Sequence, residues 1–236
     1  MPGAIAPGAA TLHVLRVFCD ERGEAGNPLG VFLDGAEVPE AERQAVARDL
    51  GFSETVYVDD PARGGLRIFT PEVELPLAGH PLVGTAWLLR HAGAPVATLR
   101  PPAGEVAVRF DGPFTWIAAN PDWGPPFRFK RLGSPAEVDA LDGPPDGHDW
   151  VGAWAWIDEP AGLVRERVFV GEVGVEEDEA TGSAALRLCA LLGRPIEIRQ
   201  GRGSLIEARP LTGGSAEVGG RVELDEVGPY PRAGAS

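Results

Sequence analysis

Short segments in which apolar and polar residues alternate, or in which apolar residues run together, recur along most of the chain. Turn residues, mainly Gly, Pro and Asp, separate these segments. This pattern is typical of β-strands and predicts a β-rich fold. The predicted strands are TLHVLRVF, GVFLD, TVYVDD, GLRIFT, VATLRPP, EVAVRF and FTWIAAN, followed by VGAWAWID, ERVFVGEV, PIEIRQG, GSLIEARP and AEVGGRVEL.

Two segments have the pattern of surface helices. PEAERQAVARDLGF has Pro39 at its start and Gly51 as its stop, the usual places of these residues at helix ends. In SPAEVDALDG, Ser134 and Glu137 have the spacing of a capping box, which predicts a short helix. The side chains of the first helix that we expect to face inward are Ala45, Val46 and Leu50.

A third helical segment, LAGHPLVGTAWLLRHAG at residues 77–93, is apolar on nearly every side after its Gly-His-Pro. This composition predicts a helix that is buried all round. A titratable residue, His80, stands at the start of that buried helix. The position indicates a place where the chain meets a ligand.

The chain contains an internal repeat. RIFTPEVEL starts at Arg67 and RVFVGEVGV starts at Arg167, with Arg, Phe, Glu and Val in the same places. A few residues later each copy has Gly-[Thr/Ser]-Ala followed by leucines, at Gly84 and at Gly182. The repeat indicates a duplication of one structural unit.

A duplicated, β-rich unit with one apolar helix predicts an α+β fold of two pseudo-symmetric halves. In each half a curled, mostly antiparallel sheet wraps the central helix, which explains how that helix can be apolar all round. We assign the N-terminal half to residues 12–119, a linker region rich in Pro, Gly and Asp to residues 120–149, and the C-terminal half to residues 150–228.

The symmetry of the repeat predicts a site. His80 and Asp178 each stand four residues before a repeat glycine, so two-fold packing would bring them face to face at the two helix starts. Two helix N-termini that converge present free N–H groups and positive dipole ends, which favour an anion. Glu54 breaks the symmetry. The distance that separates the two copies of the repeat leads from Glu54 to Gly152–Trp154, and none of these residues is acidic.

Each of these residues also has a plainer interpretation. Glu54 would fit a surface turn with Ser53 and Thr55, His80 would fit a helix cap, and Asp178 would fit a capping acid. The occurrence of His80 and Asp178 at equivalent positions favours a shared role. The residues expected to be structural or solvated are His13, His91, His148 and the acidic run EVGVEEDE.

The composition limits the partners. The net charge of −14 and the pI of about 4.7 argue against nucleic acid and against anionic membrane surfaces. An anionic substrate therefore needs a local electropositive feature. No apolar run is long enough to span a bilayer, and MPGAIAPGAA lacks the features of a signal peptide.

Candidate chemistry is restricted in the same way. Cys19 and Cys189 form no CxxC and have no metal-ligand spacing, so we expect a cytoplasmic protein with no metal. Neither cysteine lies near a Gly-rich turn, which disfavours thiol chemistry. The motifs GxGxxG, P-loop and HExxH are absent, so we expect no cofactor.

The segments AGNPLGVFLD, GFSETVYV, RIFTPEVELPLAGHPLVGTA and EEDEATGSAA, in this order, resemble the PhzF family of phenazine biosynthesis-like isomerases. The resemblance extends from about Leu12 to about Gly228 and implies the diaminopimelate epimerase fold. It also implies proton transfer without metal or organic cofactor, as in the isomerisation of dihydro-3-hydroxyanthranilate. The implied catalytic residues are Glu54, His80 and Asp178, and the implied substrate-binding residues are Gly79, Thr181, Gly182 and Ser183.

The chain departs from the family pattern at Glu179, where the family usually has Pro, and it is compressed between Lys130 and Trp150. The first departure adds negative charge near the predicted anion site. We therefore expect a homodimeric, cofactor-independent isomerase that moves a proton on a small, anionic, cyclic amino carboxylate. The alternatives are a small-molecule binding protein of the same fold and a structural role in which the duplicated fold serves dimerisation.

Overall fold

A computed structural model describes residues 10–147, 150–171 and 175–230. This part of the chain contains fifteen strands and four α-helices. The strands are β1 (Ala10–Cys19), β2 (Asn27–Phe32), β3 (Glu54–Asp60), β4 (Gly65–Phe69), β5 (Glu74–Leu75), β6 (Thr98–Leu99), β7 (Val106–Asp111), β8 (Phe114–Ala119), β9 (Arg128–Arg131), β10 (Val151–Asp158), β11 (Leu163–Val170), β12 (Val175–Asp178), β13 (Ile196–Gln200), β14 (Ser204–Pro210) and β15 (Ala216–Tyr230). The helices are α1 (Glu40–Leu50), α2 (Gly79–His91), α3 (Pro135–Asp139) and α4 (Gly182–Leu192).

The strands form one continuous, mostly antiparallel sheet in the order β5-β4-β3-β2-β1-β15-β14-β13-β11-β10-β9. The pairs β2–β3, β9–β10 and β11–β13 are parallel. β12 joins β11, and β8 joins β15 and continues through β7 to β6. Strand β15 pairs with β1 and also with β14 and β8, so hydrogen bonds connect the two halves of the molecule.

The two halves use the same connections. In the first half, the parallel pair β2–β3 is joined through α1, and in the second half the parallel pair β9–β10 is joined through α3. Strand β9 lies inside residues 120–149, the segment predicted as a linker, and was not predicted as a strand. Its sequence RFKR is short and carries three charged residues, so it lacks a hydrophobic signal.

Helix α2 is buried as predicted. Its first eight residues and both of its leucines near the end are buried, and exposure begins at Arg90. Side chains from β1, β2 and β4, including Val17, Leu29 and Ile68, belong to the same core cluster as those of α2. A Cβ on Gly84 would lie 2.6 Å from Leu29, so glycine lets the helix lie close to the strands.

Val46 and Leu50 of helix α1 pack against the core as predicted, whereas Ala45 does not. Ala45 is exposed, Val46 and Leu50 are half-buried, and the buried residues are Arg43 and Ala47. Arg43 can be buried because its guanidinium donates to the Asp59 carboxylate and to two backbone carbonyls, and lies 5.1 Å from a tyrosine ring centroid.

The predicted ends of the two surface helices are confirmed. Gly51 has φ +67° and ends α1 in the left-handed conformation that glycine adopts without strain. Ser134 caps α3 by accepting the Glu137 N–H. The Glu137 carboxylate departs from the capping-box pattern, because it accepts the N–H of Gly133 instead of that of Ser134.

The acidic run is not simply solvated. Within its described part, β12 pairs with β11, Glu176 is exposed, Glu177 binds Arg167 through both oxygens, and Asp178 is buried. His13 lies on β1 and His91 in the last turn of α2, as predicted, while His148 is outside the described residues. Among the described residues, no helix is long and apolar enough to cross a membrane, and no group of three or more His, Cys, Asp or Glu is arranged to hold a metal ion.

Candidate functional site

The two central helices begin against each other. A Cβ on Gly79 would lie 2.6 Å from the backbone of Gly182, and a Cβ on Gly182 would lie 2.9 Å from the Cα of Gly79. Glycine at both positions is what permits this approach. The first turn of neither helix contains an acidic residue, so no carboxylate within the helix offsets either positive dipole end. The predicted convergence of the helix N-termini is confirmed.

The predicted alignment of Gly84 with Gly182 was wrong, because the residue that begins α2 and meets Gly182 is Gly79. Asp178 therefore corresponds to Leu75, which has the same place opposite β4, and not to His80.

His80 and Asp178 lie on either side of one asparagine. The Nδ2 of Asn27 is 2.7 Å from Asp178 Oδ1 and 3.3 Å from His80 Nδ1. The Oδ1 of Asn27 accepts from the hydroxyl of Ser53 at 3.0 Å. Because Ser53 precedes Glu54 in the chain, this one buried amide contacts or adjoins all three predicted catalytic residues.

Two further polar side chains hold Asp178. The Thr181 hydroxyl donates to Asp178 Oδ2 at 2.7 Å. Gln200 Nε2 donates to the Asp178 carbonyl at 2.8 Å and to Thr181 Oγ1 at 2.9 Å, and Gln200 Oε1 accepts the Thr181 N–H at 3.0 Å. All three side chains are buried, so the loop that carries Asp178 is fixed by a fully paired network.

Glu54 opens β3 with its Oε2 3.3 Å from His80 Nε2. The contact is not aligned as a hydrogen bond, and neither of these buried atoms has a hydrogen-bond partner among the described residues. Burial, and secondly the charge of Asp178, raise the pKa of Glu54 to about 8. Near neutral pH a carboxyl with this pKa is present in both protonation states, so it can give and take a proton.

The His80 imidazole is neutral, because burial lowers its pKa to about 3. The Pro28 carbonyl acts in the opposite direction on the pKa of the ring, and Nε2 has no hydrogen-bond partner among the described residues. The Asn27 amide has two hydrogens, and closer oxygen acceptors at 2.7 and 3.1 Å take both. We therefore assign the ring proton to Nδ1, which leaves a bare Nε2 facing Glu54 and favours the protonated form of that carboxyl.

Asp178 is the second titratable carboxyl of the site. Burial raises its pKa to about 6, while the hydrogen bonds from Thr181 and Asn27 oppose the shift. Asp178 is therefore the more acidic of the two carboxyls, and at neutral pH it carries the negative charge while Glu54 holds a proton. Environments that separate the pKa values of two neighbouring acids are typical of acid–base sites.

A small cavity of about 30 Å³, the space open to the centre of a water-sized sphere, lies at this point. One side is polar and contains both carboxyls, and the other is apolar and contains two aromatic rings. Among the described lining residues there is no Lys or Arg. The lining residues are Ser53, Glu54, Asp178, Thr181 and Ser183 on the polar side, and Leu75, Leu77, Ala78, Pro125, Phe127, Trp150 and Val170 on the apolar side.

The structure brings the three predicted catalytic residues together, and it places Thr181 and Ser183 at the cavity. Gly79 and Gly182 are not among the lining residues, because they pack against each other where the helices meet. A contact between either glycine and a ligand stays a prediction. The observed role of the two glycines is the close approach of the helices.

Strand register gives the structural equivalence of the two halves. Phe69 and Phe169 occupy the same place in the repeat. Thr55 of β3 pairs with Phe69 of β4, and Val151 of β10 pairs with Phe169 of β11. Thr55 and Phe69 are 14 residues apart along the chain, and Val151 and Phe169 are 18 residues apart. The number of residues that separates β3 from β10 therefore differs from the number that separates β4 from β11.

With this register the equivalent of Glu54 is Trp150, and the prediction that it falls within Gly152–Trp154 was wrong. The offset taken from the Arg67 segment does not hold across a hairpin of different length. The predicted asymmetry itself is confirmed, because an acid in one half corresponds to a tryptophan in the other. Both residues line the cavity.

Sequence reasoning missed four residues of the site. Asn27 and Gln200 stand as single polar residues at strand ends, and a buried amide has no periodic signal. Phe127 lies inside the predicted linker and Trp150 directly follows it, and their rings meet edge to face at 5.4 Å. The tryptophan has φ +59°, an unusual conformation for a bulky residue at a cavity wall.

The two cysteines take no part in the site. Both are buried and free, and neither lines the cavity. Burial raises the pKa of Cys19 to about 11 and that of Cys189 to about 12. Both thiols are thus held in the protonated, unreactive form.

Comparisons with known proteins agree with this geometry. The family model described as "Phenazine biosynthesis-like protein" matches residues 15–115. The chain is 35% identical to the trans-2,3-dihydro-3-hydroxyanthranilate isomerase of Pseudomonas fluorescens over 86% of this chain and 91% of that protein.

Solved structures agree as well. A predicted epimerase from Pseudomonas aeruginosa has 27% identity and a TM-score of 0.74, covering 95% of this chain and all of that one. A PhzF family protein from Enterococcus faecalis has 21% identity and a TM-score of 0.76 with the same coverage. The predicted α+β fold of the diaminopimelate epimerase type is confirmed.

Proposed function

The chain belongs to the phenazine biosynthesis-like (PhzF) family and is an isomerase; from this premise we propose that Glu54 carries the transferred proton. The observation that supports the proposal most is the state of this carboxyl. It lines the cavity, its Oε2 is unpaired beside a neutral histidine, and its pKa is raised to about 8. No other described residue combines these properties at the cavity.

Moving a proton between two carbons requires one group that takes it and returns it on the same face. In the proposed reaction Glu54 gives its proton to one carbon of the substrate and receives a proton from another. Neutral His80 presents its bare Nε2 3.3 Å from the Glu54 carboxyl, so it favours the protonated form of that carboxyl in the resting state. The whole exchange is an acid–base reaction and needs no cofactor.

Asp178 acts on the substrate rather than on the proton. Its charge is held in place by Thr181 and Asn27, and it faces the same cavity as Glu54. An ionised carboxylate in this position binds an amino or hydroxyl group of the substrate. Proton transfer and substrate orientation are thereby divided between the two carboxyls.

The cavity supports a substrate class. Its apolar side carries the rings of Phe127 and Trp150, which favour contact with a small ring. At the opposite side the start of α4, with the Ser183 hydroxyl, provides donors for a carboxylate. We propose a small cyclic amino carboxylate, bound with the help of Gly79, Thr181, Gly182 and Ser183, and trans-2,3-dihydro-3-hydroxyanthranilate is the first compound to test.

We also propose a cytoplasmic location and a homodimer. The location is supported by two cysteines that are both buried and unpaired. The homodimer is an expectation from the duplicated fold, and sedimentation equilibrium of the purified chain tests it.

The proposed reaction is tested by deuterium uptake into trans-2,3-dihydro-3-hydroxyanthranilate and its product in heavy water. The parent chain should incorporate deuterium, and Glu54→Gln should slow incorporation roughly 10²- to 10⁴-fold while ligand binding persists. Glu42→Gln, at an exposed position of α1, is the matched control and should behave as the parent. Equal rates in the parent and in Glu54→Gln would show that Glu54 is a turn residue only.

A further inference from the structure

Glu179 follows Asp178 but turns its carboxylate away from the cavity, towards the turn between β13 and β14. Its Oε1 accepts from the Arg202 N–H at 2.8 Å and from the Ser204 hydroxyl at 3.0 Å, and its Oε2 lies 3.4 Å from Arg202 Nε. The side chain is 15% exposed. The carboxylate lies so close to Gly201 that a Cβ there would collide with it.

Ser204 connects this contact to the first half of the chain. Its buried Oγ donates to Glu179 and accepts the Gly26 N–H at 3.0 Å. Gly26 precedes Asn27, whose amide donates to Asp178 at 2.7 Å. The chain and these hydrogen bonds form a closed ring that runs from Asp178 through Glu179, Ser204 and Asn27 back to Asp178.

Each link of the ring has a physical reason to persist. The Ser204 hydroxyl and the Gly26 amide are buried, so loss of the Glu179 acceptor would leave the hydroxyl without an oriented proton. Gly26 has φ +88°, which keeps the backbone in a conformation that presents its N–H to Ser204. Asn27 is the residue that meets both His80 and Asp178, so its position determines the geometry of the site.

We propose that Glu179 is a positioning residue, which closes this ring, holds Asn27 against Asp178, and acts on Asp178 through its negative charge. The inference rests on the proposed function of the same site. Glu179, where the family usually has Pro, thus has a role outside the cavity. The sequence had instead predicted that its negative charge acts near the anion site.

The electrostatic part has a definite sign. Burial is the largest cause of the raised pKa of Asp178, and the charge of Glu179 acts in the same direction. Glu177, on the other side of Asp178 in the chain, is engaged by Arg167 through two hydrogen bonds. The other titratable or charged groups around Asp178 are Glu54 on β3, His80 on α2 and Arg202 in the β13–β14 turn.

Two conservative variants separate the effect of side-chain length from the effect of charge at position 179. Glu179→Gln keeps the length and an oxygen acceptor but removes the charge, and Glu179→Asp keeps the charge but is too short to reach Ser204. Glu177→Gln is the matched control, because it removes a charge at the same distance along the chain. Each variant is compared with the parent as the complete free chain, so the result is independent of turnover.

Two measurements read the two effects. The first is the apparent pKa of the Asp178 carboxyl from ¹³C NMR titration, with the resonance assigned by its loss in Asp178→Asn. The second is the hydrogen-exchange rate of the Gly26 amide. We expect a lower Asp178 pKa in Glu179→Gln, and Gly26 exchange faster by roughly tenfold in Glu179→Asp, the size of effect that loss of one hydrogen bond produces.

In Glu177→Gln both values should match the parent. A parent-like Asp178 pKa in Glu179→Gln, or parent-like Gly26 exchange in Glu179→Asp, overturns the proposal. Both readouts are taken without substrate, so an absence of deuterium uptake by the parent would contradict the proposed function and leave this test standing.

Discussion

The two halves of the molecule contain the same ion pair and differ at the cavity. In the first half, Arg67 binds both oxygens of Glu74 at 2.6 and 2.7 Å and lies 5.5 Å from the Phe69 ring centroid. In the second half, Arg167 binds Glu177 at 2.6 and 2.8 Å and lies at 5.2 Å from the equivalent phenylalanine ring.

At the cavity the equivalent positions have diverged. Glu54 in one half corresponds to Trp150 in the other, Leu75 corresponds to Asp178, and His80 corresponds to Ser183. The repeated residues hold a strand to its neighbour, whereas Glu54, Trp150 and Asp178, which differ between the halves, line the cavity. The comparison teaches that in a duplicated fold the breaks in symmetry, more than the repeat itself, locate the chemistry.

The largest effect is expected where the two halves meet at the site. His80→Ala and Asp178→Ala should each lower kcat/KM roughly 10²-fold, because one favours the protonated form of the proton carrier and the other orients the substrate. Since Asn27 connects them, the double variant should be at most about tenfold worse than either single variant. Steady-state rates of the three variants check this, and fully multiplicative losses would show that the two residues act independently.

A second contrast between the halves concerns stability. Glu166 on β11 corresponds to Leu66 on β4, and burial raises the pKa of Glu166 to about 8. Neither of its carboxyl oxygens has a hydrogen-bond partner among the described residues. Between pH 4.5 and 8 the unfolded chain releases this proton while the folded chain keeps it, so stability falls as pH rises across that window.

Glu166→Leu gives the second half the residue that the first half has at the equivalent position, Leu66. It should increase the free energy of unfolding by about 2–4 kcal/mol at pH 8 and change it little at pH 4.5, because about 1.4 kcal/mol is involved per pKa unit. Urea unfolding at both pH values measures the difference. An equal gain at the two pH values would mean that packing, and not the buried proton, is responsible.

The next effect tests the contact between the halves. Gly79→Ala places a methyl group against the backbone of Gly182 and should destabilise the fold by about 1–3 kcal/mol, the usual cost of overpacking. Gly143→Ala is the control, because no atom lies within 4 Å of the added carbon. If urea unfolding gives the same stability for both variants, the helix starts do not make the tight contact described above.

The smallest effect belongs to the repeated ion pair. Arg67→Lys and Arg167→Lys each lose two-oxygen binding to a partly exposed glutamate and should lower stability by less than about 1 kcal/mol, with kcat unchanged. Thermal unfolding and turnover of the two variants should be alike. A loss of turnover in one variant alone would show that the repeated residues also differ in function.

The fold could be predicted because a duplication leaves two readable copies. The apolar helix at His80 and the repeated Gly-[Thr/Ser]-Ala segments indicated the two halves and the meeting of the helix starts, although the glycine that meets Gly182 is Gly79 and not Gly84. The strands β9 and β12 were missed because their short, charged sequences pair only in the context of neighbouring strands. For Ala45 the side of the helix was misjudged, because a salt bridge makes burial of Arg43 possible.

The site could be predicted only in part. Glu54, His80 and Asp178 stood out by resemblance, while the symmetry that paired His80 with Asp178 rested on aligning Gly84 with Gly182 and was wrong. Asn27 and Gln200 did not, because a buried amide is recognised by its partners and not by its spacing. Glu166 was missed for a different reason, because it stands between Arg165 and Arg167 in a charged run that indicates exposure, whereas the strand buries its side chain.

The central claim is that Glu54 holds a proton near neutral pH in the free protein. ¹³C NMR titration of the Glu54 carboxyl, assigned by its loss in Glu54→Gln, measures this directly. The account predicts an apparent pKa near 8, raised by burial and by Asp178, and a lower value in Asp178→Asn. A Glu54 pKa near the ordinary value of about 4.5 in the parent would contradict the account.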